Sequence, residues 1–231
     1  MSFFYKPKFY IFGVMENPAL LTYLEDFLTD RRKSLMKKVI DQRTNHITVA
    51  TQDVFQLHNT SAVIRSCDVF GIQNAHVIEE KFPKRIDREI AMGAQKWVTI
   101  NRHSSAKECI SHLRANGYQI VATSPHSDSF HLKDFDISKK SALFFGTERH
   151  GLSDEIMAAA DCTLKIPMYG FTESLNISVS AAIILQTLAE RMRAEGVKWE
   201  LTEEEKSDLK LEWLKNNLKN SAELISHFYS K

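Results

Sequence analysis

Short apolar runs alternate with segments of helical periodicity along most of the chain. The run ITVATQDV (47–54) predicts a strand, HNTSAVIRSCDVFG (58–71) predicts a helix, and AHVIEE (75–80) predicts a second strand. Further strands are predicted at WVTI (97–100), YQIVATS (118–124), ALFFGTE (142–148) and TLKIPM (163–168). Because strands that alternate with helices form parallel sheets covered on both faces, the pattern predicts an α/β fold.

Helical patterns also flank this alternating region. Apolar spacing over 19–42 predicts an N-terminal helical arm, and NISVSAAIILQTLAERMR (176–193) predicts a long apolar helix. Thr202 and Glu205 form a capping box that opens a C-terminal helix. We therefore expect an N-terminal segment and basic arm at 1–45, a central α/β domain at 46–196 and a C-terminal helical extension at 197–231.

Composition limits the possible partners and settings. The 231 residues carry 30 Lys and Arg against 29 Asp and Glu, so any nucleic-acid surface must be local. Cys67, Cys109 and Cys162 form no CxxC pair, which argues against a zinc site or a disulfide framework and favours a reduced, cytoplasmic setting. His58, His126 and His150 are scattered, and we assign them no metal role.

No apolar run approaches the roughly 18 residues that a membrane span needs, and no signal peptide is recognisable.

Polar loops follow three of the predicted strands, at 123–126, 146–152 and 169–176. Ligands of parallel sheets bind beyond the carboxyl ends of the strands, so these loops are the candidate site. None of them is a GxGxxG fingerprint or a P-loop, and the chain has no HExxH. The loops suit a neutral or cationic adenosyl ligand better than a pyrophosphate. A nucleotide-binding hydrolase stays open as an alternative.

Three segments resemble the motifs of a known enzyme family. HNTSAVIRSCDVFGI (58–72), LFFGTERHGLS (143–153) and IPMYGFTESLNISVSAA (166–182) are similar to motifs one, two and three of the SpoU/TrmH RNA ribose 2′-O-methyltransferases, in the family's order. The resemblance extends from about residue 31 to about residue 220. It implies a SPOUT fold over 46–196 with a trefoil knot at the C-terminal part of the sheet, a homodimer, and S-adenosylmethionine as cofactor. We expect no metal.

The resemblance also assigns site residues. It implies a catalytic set of Arg65, Asn59, Glu148, Ser174 and Asn176. It places the cofactor against Thr123, Gly146, Ile166, Met168 and Leu175. Since arginine keeps its proton up to a pKa above about 12, we expect Arg65 to polarise the ribose hydroxyl rather than to act as the base, with Asn59 orienting it. Ser174 and Asn176 could also be helix caps, and Glu148 could hold its loop.

RNA contact is predicted at a dense group of cations in the arm. These residues are Arg31, Arg32, Lys33, Lys37, Lys38 and Arg43. A second group comprises Lys84, Arg85, Arg88 and Lys96. Both should bind phosphates in a salt-dependent way. Because ribosomal RNA members of the family often carry a separate RNA-binding domain, the short arm favours tRNA, and the resemblance implies a D-loop guanosine as the target. A 23S rRNA methyltransferase and a catalytically silent RNA-binding module are the alternatives.

Overall fold

The computed structural model describes residues 18–53, 57–79, 91–125, 129–147 and 150–230. Within these residues, seven parallel strands form one sheet in the order β3-β2-β1-β6-β4-β7-β5. The strands are β1 Ile47–Gln52, β2 Asn74–Ile78, β3 Thr99–His103, β4 Gln119–Thr123, β5 Phe130–His131, β6 Ser141–Phe145 and β7 Cys162–Lys165. The predicted parallel α/β fold is thereby confirmed, and the trefoil knot stays a prediction.

Eight α-helices surround this sheet in the described part of the chain. They are α1 Pro18–Glu25, α2 Asp30–Ile40, α3 Leu57–Phe70, α4 Ala106–Ala115, α5 Asp154–Ala159, α6 Ile177–Ala194, α7 Glu203–Asn217 and α8 Ser221–Tyr229, with a 3-10 turn at Ala94–Lys96. Thr202 and Glu205 do form the predicted capping box at the start of α7. No helix of the described segments is long and apolar enough to cross a membrane.

The two faces of the sheet bury separate cores. Leu143 and Phe145 of β6 pack in one cluster with α3 and α6, whereas Ala142 and Phe144 pack in another with α4 and α5. This division follows from the strand period of two, which points successive side chains to opposite faces. Both central strands, β1 and β6, are buried along their whole length, as expected for a parallel sheet between helical layers.

The N-terminal arm and the C-terminal extension share a third hydrophobic cluster. Leu24 of α1 and Ile40 of α2 pack with Leu209 and Trp213 of α7. The predicted helical arm over 19–42 consists of two helices, because the chain turns at 26–29 and the Thr29 hydroxyl accepts a hydrogen bond from the backbone N–H of Arg32 to start α2. The three-part division of the chain stays a prediction.

Arg43 was predicted to contact RNA, and the structure corrects this prediction. Its side chain is only 1% exposed. The guanidinium donates to the Asp68 carboxylate and lies 5.2 Å from the centre of the Trp213 ring. Buried arginines are paired because an isolated buried charge is very unfavourable. Arg43 therefore joins the arm to α3 and α7 and cannot bind phosphate from this position.

Two further elements differ from their predictions. The strand predicted at 97–100 begins only at Thr99 and continues to His103, because Trp97 ends the 3-10 turn and packs edge-on against Trp213. The two-residue strand β5 was not predicted, since a two-residue run has no detectable periodicity. These differences leave the order of the main strands unchanged.

Candidate functional site

A cavity of about 490 Å³ opens at the carboxyl ends of three neighbouring strands, β4, β6 and β7. Its volume is within the range of small-molecule and cofactor sites. Thr123 ends β4, Gly146 directly follows β6, and Ile166 directly follows β7. The cavity thus lies where ligands of parallel sheets bind.

All five residues that were predicted to contact a cofactor line this cavity. They are Thr123, Gly146, Ile166, Met168 and Leu175, and Ser174 from the catalytic set lies beside them. Ile166, Met168 and Leu175 form an apolar wall. The Thr123 hydroxyl donates to the carbonyl of Phe144 at 2.7 Å, which ties the end of β4 to β6. The three strand-exit loops therefore form one concave surface.

Gly146 allows the loop after β6 to fold back on itself. A Cβ atom added at this position would lie 2.1 Å from the carbonyl carbon and oxygen of Gly151 and 2.3 Å from the amide nitrogen of Leu152. Thr147 and Gly151 exchange two backbone hydrogen bonds of 2.9 Å, and Gly151 has a positive φ of 65°. Only glycine permits so close a backbone crossing. The wall of the cavity thus depends on a position without a side chain.

Gln52 holds the far end of the same loop. Its side chain exchanges two hydrogen bonds of 2.9 Å with Ser153, one with the backbone N–H and one with the hydroxyl. Ser153 is also the N-cap of α5. The loop is therefore anchored to the end of β1 and to a helix start, which gives the cavity a stable rim.

Asn59 and Asn176 connect the first and third motifs. The Asn176 amide donates to the Asn59 side-chain oxygen at 3.2 Å, and its own oxygen accepts from the Ser178 backbone N–H at 2.8 Å to cap α6. Asn176 is thus both a cap and a contact to α3. The cap that the sequence offered as an alternative is present together with the contact between motifs.

The chain matches a protein-family model over residues 46–186, and the model describes the SpoU rRNA methylase family. A tRNA (guanosine(18)-2′-O)-methyltransferase of Borreliella burgdorferi is 42% identical over 197 residues, which are 85% of this chain and 90% of the relative. The chain belongs to the SpoU family. The resemblance seen in the three motifs is thereby confirmed.

Further SpoU relatives are similar over most of their length. A tRNA (guanosine(18)-2′-O)-methyltransferase of Thermus thermophilus is 34% identical over 72% of this chain and 86% of its own. The crystal structure of the Aquifex aeolicus TrmH/SpoU tRNA modifying enzyme covers 82% of this chain and 98% of its own, with 31% identity and a TM-score of 0.74. The structure of the SpoU methyltransferase AviRb of Streptomyces viridochromogenes, in complex with the cofactor AdoMet, covers 70% of this chain and 62% of the AviRb chain. The identity is 25% and the TM-score is 0.57.

Arg65, the predicted catalytic arginine of this SpoU protein, is exposed on α3 and is not among the described residues that line the cavity. It follows Asn59 by six residues, which places it about a third of a turn around the helix from Asn59. The Asn59 side chain contacts Asn176, and its role in orienting Arg65 stays a prediction. Glu148 lies outside the described residues.

The cations of the arm lie on the exposed side of α2. Arg31, Arg32 and Lys38 are exposed and pair with no acidic side chain of the described chain. Lys33 Nζ lies 3.5 Å from Asp26 Oδ1, and Lys37 Nζ lies 2.8 Å from Asp41 Oδ2. In the second basic group, Lys96 is exposed, and Lys84, Arg85 and Arg88 lie outside the described residues.

Several residues that line the cavity were not predicted from the sequence. Asp154 and Met157 come from α5, and Ser180 and Ile184 come from α6. They are helical residues that follow the loops, whereas the rule for parallel sheets points to the loops themselves. The N-cap signal at Ser153 locates the start of α5 and could have indicated that its first residues face the site.

Proposed function

We propose that this protein transfers a methyl group from S-adenosylmethionine to the ribose 2′-oxygen of the guanosine at position 18 of tRNA, the reaction named for its relatives. The observation that carries the proposal is that the three strand-exit loops meet in one cavity containing all five predicted cofactor positions. Membership of the SpoU family supports the same reaction.

The cavity suits a cationic adenosyl ligand. Its apolar wall of Ile166, Met168 and Leu175 offers contact to a purine or an aliphatic chain, and Asp154 adds a carboxylate that favours a positive charge. The close turn at Gly146 holds the backbone of this loop at the cavity, because a side chain at this position would overlap the backbone of Gly151 and Leu152. When bound there, S-adenosylmethionine supplies an electrophilic methyl group on a sulfonium.

Arg65 acts on the RNA in this proposal, and the two asparagines position its helix. In-line transfer forms the O–CH3 bond and breaks the S–CH3 bond, and the hydroxyl proton passes to a phosphate oxygen of the RNA. Arg65 holds the target phosphate or hydroxyl, because a guanidinium donates several hydrogen bonds in a fixed plane. The hydrogen bond between Asn59 and Asn176 holds α3 against the third motif. Positioning and electrostatic stabilisation supply the acceleration.

RNA binding is assigned to the cations on the exposed side of α2. Arg31, Arg32, Lys33, Lys37 and Lys38 form a positive surface on a chain whose net charge is only +1. Such a surface binds phosphates without reading sequence, so it positions the tRNA while the cavity selects the ribose.

We also propose a cytoplasmic setting, because the substrate is tRNA and the cysteines are free thiols.

We further propose a homodimer that forms beside the cavity. Tyr169 and Phe171 are almost fully exposed in the loop between two cavity-lining residues, Met168 and Ser174. Val179 and Ile183 extend this apolar surface along α6. A contiguous exposed apolar patch marks an interaction site on a soluble domain.

Methylation of defined transcripts tests the reaction. The protein is incubated with labelled S-adenosylmethionine and unmodified tRNA, and the product is mapped by nuclease digestion and mass spectrometry. We expect one 2′-O-methylguanosine at position 18 and none in a control transcript with adenosine at that position. Label in 23S rRNA fragments instead would favour the ribosomal substrate, and RNA binding without label would indicate a silent RNA-binding module.

A further inference from the structure

Three imidazoles and a thiol lie close together on the face of the sheet that carries α4, near the edge formed by β3. His76 lies in β2, His103 ends β3, and Cys109 and His112 lie on α4. His76, His103 and Cys109 are buried, and His112 is exposed. None of these four residues lines the proposed cofactor cavity. The cluster thus needs an explanation of its own.

The geometry of the cluster is close to that of a metal site. One ligand atom from each of His76, His103 and Cys109 lies within 4.8 Å of the other two. His76 Nδ1 and His103 Nε2 are 2.9 Å apart. A tetrahedral zinc ion with bonds of about 2.0 to 2.3 Å needs ligand atoms about 3.3 to 3.6 Å apart, so small side-chain movements suffice.

The surroundings of His103 support the same conclusion. Its Nδ1 atom is buried and has no hydrogen-bond partner among the described residues, which is unusual for a polar atom in a protein core. Glu108 Oε1 lies 4.0 Å from this atom, and the other oxygen of Glu108 accepts hydrogen bonds from Ser104. Histidines that bind a metal through one nitrogen usually donate the proton on the other nitrogen to a carboxylate. Glu108 is placed to accept that proton when His103 binds a metal through Nε2.

His112 lies on the solvent side of the two buried histidines. Its ring centre is 5.6 Å from that of His76 and 5.5 Å from that of His103. It follows Cys109 by three residues, so both side chains project from one side of α4. His112 is not in the group whose ligand atoms lie within 4.8 Å of one another, so its side chain must rotate to give an entering ion a fourth ligand.

We propose that His76, His103, Cys109 and His112 bind one Zn²⁺ ion per chain. Imidazole nitrogen and thiolate sulfur are the ligands that zinc prefers, and Cys109 would release its proton to solvent on binding. The ion would join α4 to β2 and β3 at the edge of the sheet. The site is therefore structural and distinct from the proposed methyl-transfer cavity.

Zinc uptake by the full chain without an added histidine tag tests the proposal. The protein is stripped with a chelator and titrated with Zn²⁺ in competition with a chromophoric chelator. We expect one tightly bound ion per wild-type chain, no stoichiometric binding by His103→Gln or Cys109→Ala, and roughly tenfold weaker binding by Glu108→Gln. Cys67→Ala, at an equally buried cysteine, and His227→Asn, at an exposed helical histidine, should bind like the wild type.

Cobalt provides a second readout, which can be made on the wild type. Co²⁺ added to the stripped wild type should give a thiolate-to-cobalt charge-transfer band in the near ultraviolet, and Cys67→Ala should keep this band. Far-ultraviolet circular dichroism checks that each variant is folded. A wild type that takes up no zinc, or a cobalt complex without the thiolate band, overturns the proposal. Unchanged zinc binding in Cys109→Ala and His103→Gln would do the same.

Discussion

Gly146 shows how a single residue shapes the site. It belongs to a motif that the sequence makes recognisable, but the reason for a glycine lies in its close approach to Gly151 and Leu152 across the loop. Arg65 differs from Gly146. The motif indicates a catalytic function for Arg65, whereas its exposed position on α3 does not by itself indicate one. At this scale the motifs predicted the cavity-lining residues well, and they predicted poorly which side chains touch one another.

Replacing Gly146 with alanine should abolish cofactor binding. The added Cβ would overlap the carbonyl of Gly151, so the loop must move and the cavity wall with it. Gly170→Ala is the matched control, since its Cβ would meet no atom closer than 4.0 Å. Calorimetry with S-adenosylmethionine should show binding to Gly170→Ala and none to Gly146→Ala. Equal affinities would remove this loop from the proposed site.

Arg65→Ala should lose methyl transfer and keep cofactor binding. Arg65 lies outside the cavity lining, so the affinity for S-adenosylmethionine should stay unchanged while kcat falls roughly 100- to 1,000-fold. Arg65→Lys keeps the charge without the planar fork and should recover only part of the rate. Lys107→Ala, at an exposed cation on α4, is the control. Loss of cofactor binding together with activity would instead indicate a structural arginine.

At the scale of elements, α2 has two chemically different sides. Met36 and Ile40 bury one side of it in the cluster with α1 and α7, while the cations cover the other side. The helix is amphipathic, so packing alone fixes which residues face solvent. Arg43 falls just beyond the helix and turns into the core, which periodicity within α2 could not predict.

The exposed cations of α2 should determine the salt dependence of RNA binding. The triple variant Arg31→Ala, Arg32→Ala, Lys38→Ala should bind tRNA more weakly, and the slope of log affinity against log salt should fall by about 0.7 to 0.9 for each phosphate that α2 no longer neutralises. Filter binding at several salt concentrations measures both effects. A double variant of exposed lysines elsewhere, Lys107→Ala and Lys133→Ala, should retain the wild-type slope. If the two variants behave alike, α2 has no special part in binding.

At the scale of the whole molecule, the described residues leave an exposed apolar surface beside the cavity. Tyr169 and Phe171 project from the third-motif loop, and Val179 and Ile183 lie one turn apart on α6. The opposite side of α6 is buried against the sheet through Ile184 and Leu188. In the proposed homodimer, a second copy covers this exposed side.

A charged pair on this surface should disrupt the homodimer. Val179→Asp with Ile183→Asp buries two carboxylates in an apolar interface, so light scattering should report a monomer where the wild type is a dimer. Leu35→Asp, at an exposed leucine of α2, should leave the dimer intact. A wild-type monomer, or a dimer that persists in the double variant, would contradict the proposed interface.

The order and type of the main elements, the family and the loop residues of the cavity were determined by the sequence, because periodicity and motifs depend on neighbours along the chain. Only the tertiary structure decided which distant residues meet. It paired Arg43 with Asp68, joined Asn59 to Asn176 and brought His76, His103 and Cys109 together from two strands and a helix. These pairings depend on the strand order and on helix packing, which are long-range properties that no local pattern encodes.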